Sequence, residues 1–291
     1  MLVIVAGGLG EVGSSVAAEM TALGHDVLRA SARRQADVWR GDASVIAIEA
    51  AVELITGDRV DLLVNASGPG DRRGASATWR DTSRDLSGAC LGTRTSAVLL
   101  STTRVMEGYE RDYEEAEPPL PMTDYARLNA ENEALWGSAG GKAATVLRIT
   151  NFFCQPQARH SPQSGLLPWS LVTEALETGA IQMRSGANLI KEFVSARDVA
   201  TAALCIAESD EAPKACVTSP GAALSLSMLA RESSLAVESA LGSRPAVSFG
   251  PDGEQPPRCS SGWLAASGWQ SSLTADELRG EVEAWLAEAP R

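Results

Sequence analysis

The chain has 291 residues, of which 44% are hydrophobic and 21% charged, a composition typical of a folded globular protein. Its formal net charge of −12 argues against a nucleic-acid-binding protein, because contact with a phosphate backbone needs basic side chains. No apolar run is long enough to span a membrane, and because the first apolar segment starts at Leu2 we expect no signal peptide. The five cysteines are widely spaced, so neither a disulfide framework nor a metal site is expected. These features predict a cytoplasmic protein with free thiols.

The N-terminal segment predicts a strand, a tight glycine turn and a helix. An apolar run over 2–6 leads into the pattern Gly-x-x-Gly-x-x-Gly, and an amphipathic stretch over 14–23 follows. Backbone amides at a helix N-terminus bind a diphosphate, and glycines let it approach closely. The alternative is a plain strand-to-helix turn in an α/β core. The cofactor ligands predicted in this turn are Gly7, Gly10, Glu11, Val12 and Gly13.

Strand and helix signals alternate along the first half of the chain. Strands are predicted over 26–31, 37–42, 60–65, 97–102 and 145–149, and a helix over 44–56. Such alternation favours a Rossmann-type, doubly wound parallel sheet, in which ligands bind beyond the carboxyl ends of the strands. The polar strand ends and the residues beside them are therefore candidates for the site: Ser31, Asn65, Ala66, Ser67, Ser101, Thr102 and Asn151.

The second half has fewer strand signals and more proline, glycine and serine. Helices are predicted over 169–178, 196–208, 226–241 and 275–287, and Trp269 and Trp285 are expected in the core. We predict an α/β protein with a dinucleotide-binding domain over 1–151. A smaller, mainly substrate-binding lobe is predicted over 152–291, with some segments returning to the sheet.

Motifs spread over nearly the whole chain match one enzyme family. Besides the glycine turn, they are STTRVMEG at 101–108, YARLNAENE at 125–133, LRITN at 147–151, EFVSARDVA at 192–200 and SGW at 267–269. With them the chain resembles the extended short-chain dehydrogenases/reductases, the family of nucleotide-sugar epimerases and dehydratases. The segment at 101–108 is closer to the form found in dTDP-4-keto-rhamnose reductases.

The resemblance implies roles for individual residues. Thr102 would hydrogen-bond the substrate carbonyl, Tyr125 would give the proton, and Asn129 would bind the cofactor ribose. Structural alternatives are a turn cap for Thr102, a buried tyrosine for Tyr125 and a solvated helix residue for Asn129. The resemblance further implies an adenine contact from Asp42 and substrate contacts from Thr103, Asn151 and Arg159. Surface positions are expected for His160 and for the acidic residues Glu107, Glu114, Glu115 and Glu117.

One position departs from the family pattern. Asn129 stands where the family has a lysine, whose charge lowers the pKa of the tyrosine. A free tyrosine titrates near ~10, and asparagine supplies a hydrogen bond but no charge. Tyr125 would then be a poor base at neutral pH but a competent acid, which favours carbonyl reduction over oxidation. Arg127 or the nicotinamide charge could compensate in part.

The end of the second predicted strand bears on the choice of cofactor. NAD-preferring relatives place an acidic residue there, whereas this chain has Ser31, followed by Arg33 and Arg34. Both arginines could pair with a 2′-phosphate, unless they are solvated loop residues. NADP is therefore expected, with NAD as the alternative.

Together these features predict an NADP-dependent reductase of a ketone on a sugar, with the sugar linked to a nucleotide, or on a related biosynthetic intermediate. One alternative is a cofactor-binding regulatory or partner subunit without redox turnover. Another is an epimerase, dehydratase or cyclase with a tightly held cofactor. The expected partner is a small molecule, and a homodimer through the helix bearing Tyr125 is left open.

Overall fold

The computed structural model describes residues 1–31, 42–69, 78–137, 144–154, 166–259 and 262–287. The chain divides into two compact units. The first unit comprises Met1–Thr150, Ala196–Ser219 and Pro257–Gln270, and the second comprises Asn151–Ser195, Pro220–Pro256 and Ser271–Arg291. None of the described helices combines the length and apolar character that crossing a bilayer requires.

The first unit is built on a seven-stranded parallel sheet. Its strands are β1 (Leu2–Ala6), β2 (Asp26–Ser31), β3 (Val45–Ala47), β4 (Leu62–Asn65), β5 (Ser96–Thr102), β6 (Ala144–Ile149) and β10 (Ala215–Val217). Its helices are α1 (Glu11–Ala22), α2 (Ile48–Thr56), α3 (Thr78–Ala89), α4 (Asp124–Gly137), α6 (Ala196–Ala207), α8 (Trp263–Ala266) and a 3₁₀ helix (Thr103–Met106). The predicted doubly wound parallel sheet is confirmed.

The strand order places the candidate ligand site. The sheet runs β10-β6-β5-β4-β1-β2-β3, so the chain moves to one side of β1 for β2 and β3 and to the other for the later strands. Strands of such a sheet are covered on both faces, and residues 3–6 of β1 and 62–65 of β4 are fully buried. Ligands of doubly wound sheets bind where the strand order reverses, which here lies between β1 and β4.

The segment after residue 42 differs from the prediction. The sequence pattern predicted a helix from 44, but β3 covers Val45–Ala47 and α2 starts at Ile48. Asp42 forms a turn before β3, because its carboxylate accepts hydrogen bonds from the amide and hydroxyl of Ser44 at 2.9 and 2.6 Å. The resulting turn places the β-branched residues after it beside β2. Residues 37–41 lie outside the described part of the chain.

The second unit contains two small sheets and three helices among its described residues. Strands β7 (Asn151–Phe153), β9 (Ile190–Ser195) and β11 (Ala222–Ser225) form one sheet, and β8 (Ala180–Met183) and β12 (Ala246–Phe249) form the other. The helices are α5 (Leu167–Thr178), α7 (Leu226–Leu241) and α9 (Ala275–Ala287). Trp169 stacks on Phe153 at 5.5 Å and lies 5.1 Å from Trp285, so tryptophans form the centre of this core. Trp285 is buried here and Trp269 in the first unit, as predicted.

Candidate cofactor and active site

The glycine turn between β1 and α1 leaves no room for side chains. Gly7 has a φ of +72°, and a Cβ there would lie 2.8 Å from backbone atoms of Ala66 and Ser67 in the loop after β4. A Cβ on Gly13 would lie 2.3 Å from the carbonyl oxygen of Gly7. The turn is closed by a hydrogen bond from the amide of Gly10 to that same oxygen at 2.9 Å. Glycine is therefore required where the β4 loop and the helix approach the turn.

The N-terminus of α1 opens at this turn. The first helical hydrogen bond runs from the amide of Ser14 to the carbonyl oxygen of Gly10 at 2.9 Å. The amides of residues 11–13 precede it and have no partner within the helix. Amides at a helix N-terminus at the sheet's reversal point suit a diphosphate. The shape of this turn fits a dinucleotide.

Glu11 places a carboxyl group in the same turn. Its side chain is half-buried, and Oε1 is shielded from solvent without a hydrogen-bond partner among the described residues. Burial raises the pKa of this carboxyl. The neighbouring Val12 is also half-buried.

Asn65 at the end of β4 anchors a buried polar network. Its Nδ2 donates to the hydroxyl of Ser83 at 3.2 Å, and Ser83 donates to Oδ1 of Asn132 at 2.6 Å. Its Oδ1 accepts from the amide of Ser67 at 3.0 Å and from the Ser67 hydroxyl. The amide of Asn65 thus fixes the loop carrying Ala66 and ties β4 to α3 and α4.

The end of β5 presents two threonines. Thr102 caps the 3₁₀ helix that begins at Thr103, because its hydroxyl oxygen accepts from the amide of Arg104 at 3.2 Å. The expected turn cap is therefore present, and the hydroxyl proton of Thr102 remains available as a donor. Both threonines are half-buried. The 3₁₀ helix packs against α4, and the amide of Thr123, just before α4, bonds to Glu107 just after the 3₁₀ helix.

Helix α4 carries Tyr125 and Asn129 one turn apart. Tyr125 is half-buried near the helix start, whereas Asn129 is 5% exposed, so a solvated position for Asn129 is wrong. Nδ2 of Asn129 donates to the carbonyl oxygen of Tyr125 at 2.9 Å. Its Oδ1 faces Gly68, where an added Cβ would lie 3.8 Å away. Position 129 therefore offers a neutral amide beside the loop that follows β4.

Glu107 anchors the N-terminus of α4 rather than lying in a solvated loop. Its Oε1 accepts from the amides of Thr123 and Met122 at 2.6 and 3.2 Å, and its Oε2 accepts from Nε of Arg104 at 2.8 Å. Burial opposes ionisation of this carboxyl, but the bonds from Thr123 and Arg104 outweigh it and lower its pKa. The acidic pattern of the loop carried no sign of this role.

Glu115 is the second acidic residue for which the surface expectation was wrong. The half-buried carboxylate accepts from the amide of Trp263 at 2.7 Å and from the amide of Val217 at 3.3 Å. Burial raises the pKa of Glu115, against the effect of those two bonds. Glu115 thereby contacts the end of β10 and the start of α8, both more than 100 residues away in the sequence, which no local sequence signal reveals.

A buried ion pair fixes the middle of α4. Glu133 and Arg148 of β6 are joined at 2.8 Å, and their side chains are 6% and 4% exposed. The hydroxyl of Ser101 donates to the same carboxylate at 2.6 Å. The pair sets the position of α4 against β5 and β6, and with it the position of Tyr125.

The remaining predicted ligands are less closely grouped. Asp42 bonds to Arg29 at 2.6 Å, and its bonds from Ser44, followed by the charge of Arg29, lower its pKa. Ser31 is buried at the end of β2. Asn151 belongs to the second unit, where it donates to the carbonyl oxygen of Glu192 at 2.8 Å. Arg33, Arg34, Arg159 and His160 lie outside the described residues.

Within the described ranges, no group of histidine, cysteine, aspartate and glutamate side chains is placed to hold a metal ion. The five cysteines are free.

One family of known proteins matches the chain in sequence. The sequence model of the NAD dependent epimerase/dehydratase family matches residues 3–217. No curated protein sequence matches the chain significantly.

Solved structures share the fold at low sequence identity. UDP-N-acetylglucosamine 4-epimerase from Bacillus cereus matches with a TM-score of 0.77 and 16% identity, covering 100% of this chain and 98% of its own. UDP-glucose 4-epimerase from Thermus thermophilus, in complex with NAD, matches with a TM-score of 0.71 and 20% identity over 99% and 100%. dTDP-glucose 4,6-dehydratase from Bacillus anthracis, also with NAD, matches with a TM-score of 0.72 and 15% identity over 99% and 97%.

Proposed function

The chain belongs to the NAD-dependent epimerase/dehydratase family, and on that premise we propose that it is a nicotinamide-dependent reductase. Its substrate would be a ketone on a sugar, with the sugar carried by a nucleotide. We favour reduction over epimerisation or dehydration because of one residue. Asn129 is a buried neutral amide bonded to the helix backbone, at the position where the family pattern has a lysine.

The residues present fit a dinucleotide. The turn amides of residues 11–13 would hold the diphosphate, and the glycines would allow its approach. Asn129 would accept from a ribose hydroxyl through the Oδ1 that faces Gly68. When bound, a reduced nicotinamide supplies a hydride.

Thr102 and Tyr125 would handle the substrate carbonyl. The hydroxyl of Thr102 accepts from the Arg104 amide and can donate its own proton to the carbonyl oxygen. The neutral phenol of Tyr125 would give its proton to the alkoxide that forms as hydride arrives. Thr103 would lie beside the substrate, and Asn151 and Arg159 remain proposed substrate ligands.

The charge state of Tyr125 separates reduction from epimerisation. Epimerases and dehydratases begin by oxidising an alcohol, which needs a phenolate as base, whereas reduction needs only the phenol. Position 129 supplies no cation that would favour the phenolate, and the phenol is the form that reduction needs. Arg127 pairs with Asp124 at 2.8 Å on the surface, which argues against Arg127 as the compensating charge.

NADP is the proposed cofactor form. Ser31 ends β2 without the carboxylate that would repel a 2′-phosphate, and Arg33 and Arg34 follow in the sequence. Two of the solved structures named above contain NAD, so the preference needs its own test. Calorimetric titration with both cofactors decides it, and equal or tighter binding of NAD contradicts the proposal.

An epimerase or dehydratase with a tightly held cofactor is the second candidate, favoured by the names of the similar solved structures. Purified protein incubated with NADPH and nucleotide-linked keto sugars separates the candidates. Steady loss of NADPH absorbance with one alcohol formed per cofactor supports the reductase. Sugar conversion without net cofactor oxidation supports the second candidate, and cofactor binding without conversion supports a regulatory subunit.

A further inference from the structure

Glu11 brings a negative charge to the part of the fold that suits a diphosphate. It is the first residue of α1, so its side chain and one of the exposed amides belong to the same residue. The Oε1 atom is shielded from solvent and has no hydrogen-bond partner among the described residues. Burial raises the pKa of the carboxyl, because burial disfavours its charged form.

No cation of the described chain neutralises this carboxyl. Helix α1 packs against β1, β2 and α6, and β1 has no ionisable side chain. The ionisable groups on the other two elements are Asp26, Arg29, Arg197, Asp198 and Cys205. Arg29 is held by Asp42 at 2.6 Å, and Arg197 lies 4.0 Å from Glu19, two turns further along α1. Among the described groups, the backbone amides in the first turn of α1 are therefore what would stabilise a negative charge beside Glu11.

We propose that Glu11 makes dinucleotide binding depend on pH, because the carboxyl group must carry a proton for the diphosphate to occupy the turn without repulsion. The inference rests on the proposed cofactor function. The helix N-terminus stabilises one anion, either the carboxylate of Glu11 or the diphosphate. A bound diphosphate disfavours a second negative charge beside it, and so favours the protonated carboxyl.

The direction of the effect follows from linkage. The pKa of Glu11 is higher in the complex than in the free protein, so binding takes up a proton between the two values. The affinity for the dinucleotide is highest at pH values below the pKa that Glu11 has in the free protein. It falls by up to about tenfold per pH unit above that pKa. At pH values above the pKa that Glu11 has in the complex, the affinity stays at its lowest value.

Calorimetric titration with NAD from about pH 5 to about pH 9, in two buffers of different ionisation enthalpy, measures both affinity and proton uptake. NADP is titrated in parallel, and the difference between variants cancels the titration of its own 2′-phosphate. The variant Glu11→Gln keeps the shape of the side chain and removes the ionisable group. Glu49→Gln is the matched control, because Glu49 is an exposed acid in the first turn of α2.

We expect the unaltered protein to lose at least about tenfold in affinity over this range and to take up as much as one proton on binding. Glu11→Gln should bind without pH dependence, as tightly as the unaltered protein does at low pH, and Glu49→Gln should behave as the unaltered protein. Affinity that does not change with pH in the unaltered protein, or pH dependence that persists in Glu11→Gln, overturns the inference and leaves the proposed cofactor function standing. Absence of binding at every pH overturns both. The unaltered protein alone decides the question if the variant does not fold.

Discussion

Asn129 is the residue on which the proposed direction of the reaction rests. Its side chain bonds to the carbonyl oxygen of Tyr125, and replacing it by lysine would put an ammonium group one helical turn from the phenol. A neighbouring cation lowers a tyrosine pKa by one unit or more, and each unit raises the phenolate fraction about tenfold. Asn129→Lys should therefore increase alcohol oxidation by about tenfold or more and change ketone reduction less. Initial rates in both directions across pH measure this.

The control for that substitution is Asn129→Gln, which keeps a neutral amide. It should show no selective gain in oxidation. Equal changes in both directions for Asn129→Lys would show that position 129 does not set the charge state of the tyrosine.

Tyr125 is the proposed proton donor. Removing its hydroxyl in Tyr125→Phe should lower kcat for reduction by about 10²–10⁴-fold, as loss of a general acid does, with cofactor affinity largely kept. Tyr109→Phe is the control, because the Tyr109 hydroxyl donates to the carbonyl oxygen of Pro118 at 2.9 Å, in an exposed loop. Near-full turnover by Tyr125→Phe would assign the proton to another group.

The sequence predicts where single residues lie in an element when a motif marks that element. Thr102 ends β5 and Tyr125 lies at the start of α4, as predicted, while their roles in a site stay predictions that come from the family resemblance. The contacts of Asn65 with Ser83 and of Ser83 with Asn132 could not be predicted, because they join residues 18 and 49 positions apart. Such contacts depend on how two helices dock on the sheet, which no local pattern encodes.

At the scale of elements, α4 is held at its start by Glu107. Hydrogen bonds from the amides of Met122 and Thr123 reach the ionised carboxylate, whose pKa is lowered by Thr123 and Arg104 in spite of burial. A carboxylate whose pKa is lower in the folded chain than in the unfolded chain stabilises the fold at pH values above its pKa in the unfolded chain. That stabilisation is lost as the pH falls through the pKa in the folded chain.

Glu107→Gln should therefore weaken the pH dependence of unfolding between about pH 6 and about pH 3. Urea unfolding at several pH values measures it. Glu110→Gln is the control, because Glu110 is exposed beside the same loop. An unchanged pH dependence in Glu107→Gln would remove Glu107 from the set of groups that stabilise α4.

The middle of α4 depends on the Glu133–Arg148 pair. Removing one partner leaves the other charge buried, which typically costs about 3–5 kcal/mol. Glu133→Ala should lower the free energy of unfolding by that amount in urea titration. Replacing both residues, Glu133→Gln with Arg148→Met, should cost clearly less, and a larger loss in the double variant would contradict the account of the pair.

Element positions were predictable where the hydrophobic pattern was long. Strands β1 and β2 and helices α7 and α9 have the predicted ends, because buried runs and amphipathic stretches mark them directly. The five described strands of the second unit have three to six residues each, so their hydrophobic pattern is too short to predict them. Strand β3 was missed for the same reason, since it has only three residues after the Asp42 turn.

At the scale of the whole molecule, the fold and the glycine turn favour a dinucleotide at the reversal of the strand order. The family match covers residues 3–217, and the proposed reduction rests on Asn129, which we infer stands where the family pattern has a lysine. A reductase differs from an epimerase or dehydratase in where the transferred hydride ends. In a reductase it stays on the product, whereas in an epimerase or dehydratase it returns from cofactor to sugar within one cycle.

The most direct test is therefore to follow that hydride. Purified protein is given NADPH carrying deuterium at the transferable position, together with a nucleotide-linked keto sugar, and product and cofactor are analysed by mass spectrometry. We predict one deuterium on the new alcohol carbon and one NADP formed for each product molecule. A converted sugar without deuterium, with the added NADPH unoxidised, would contradict the assignment of this protein as a reductase.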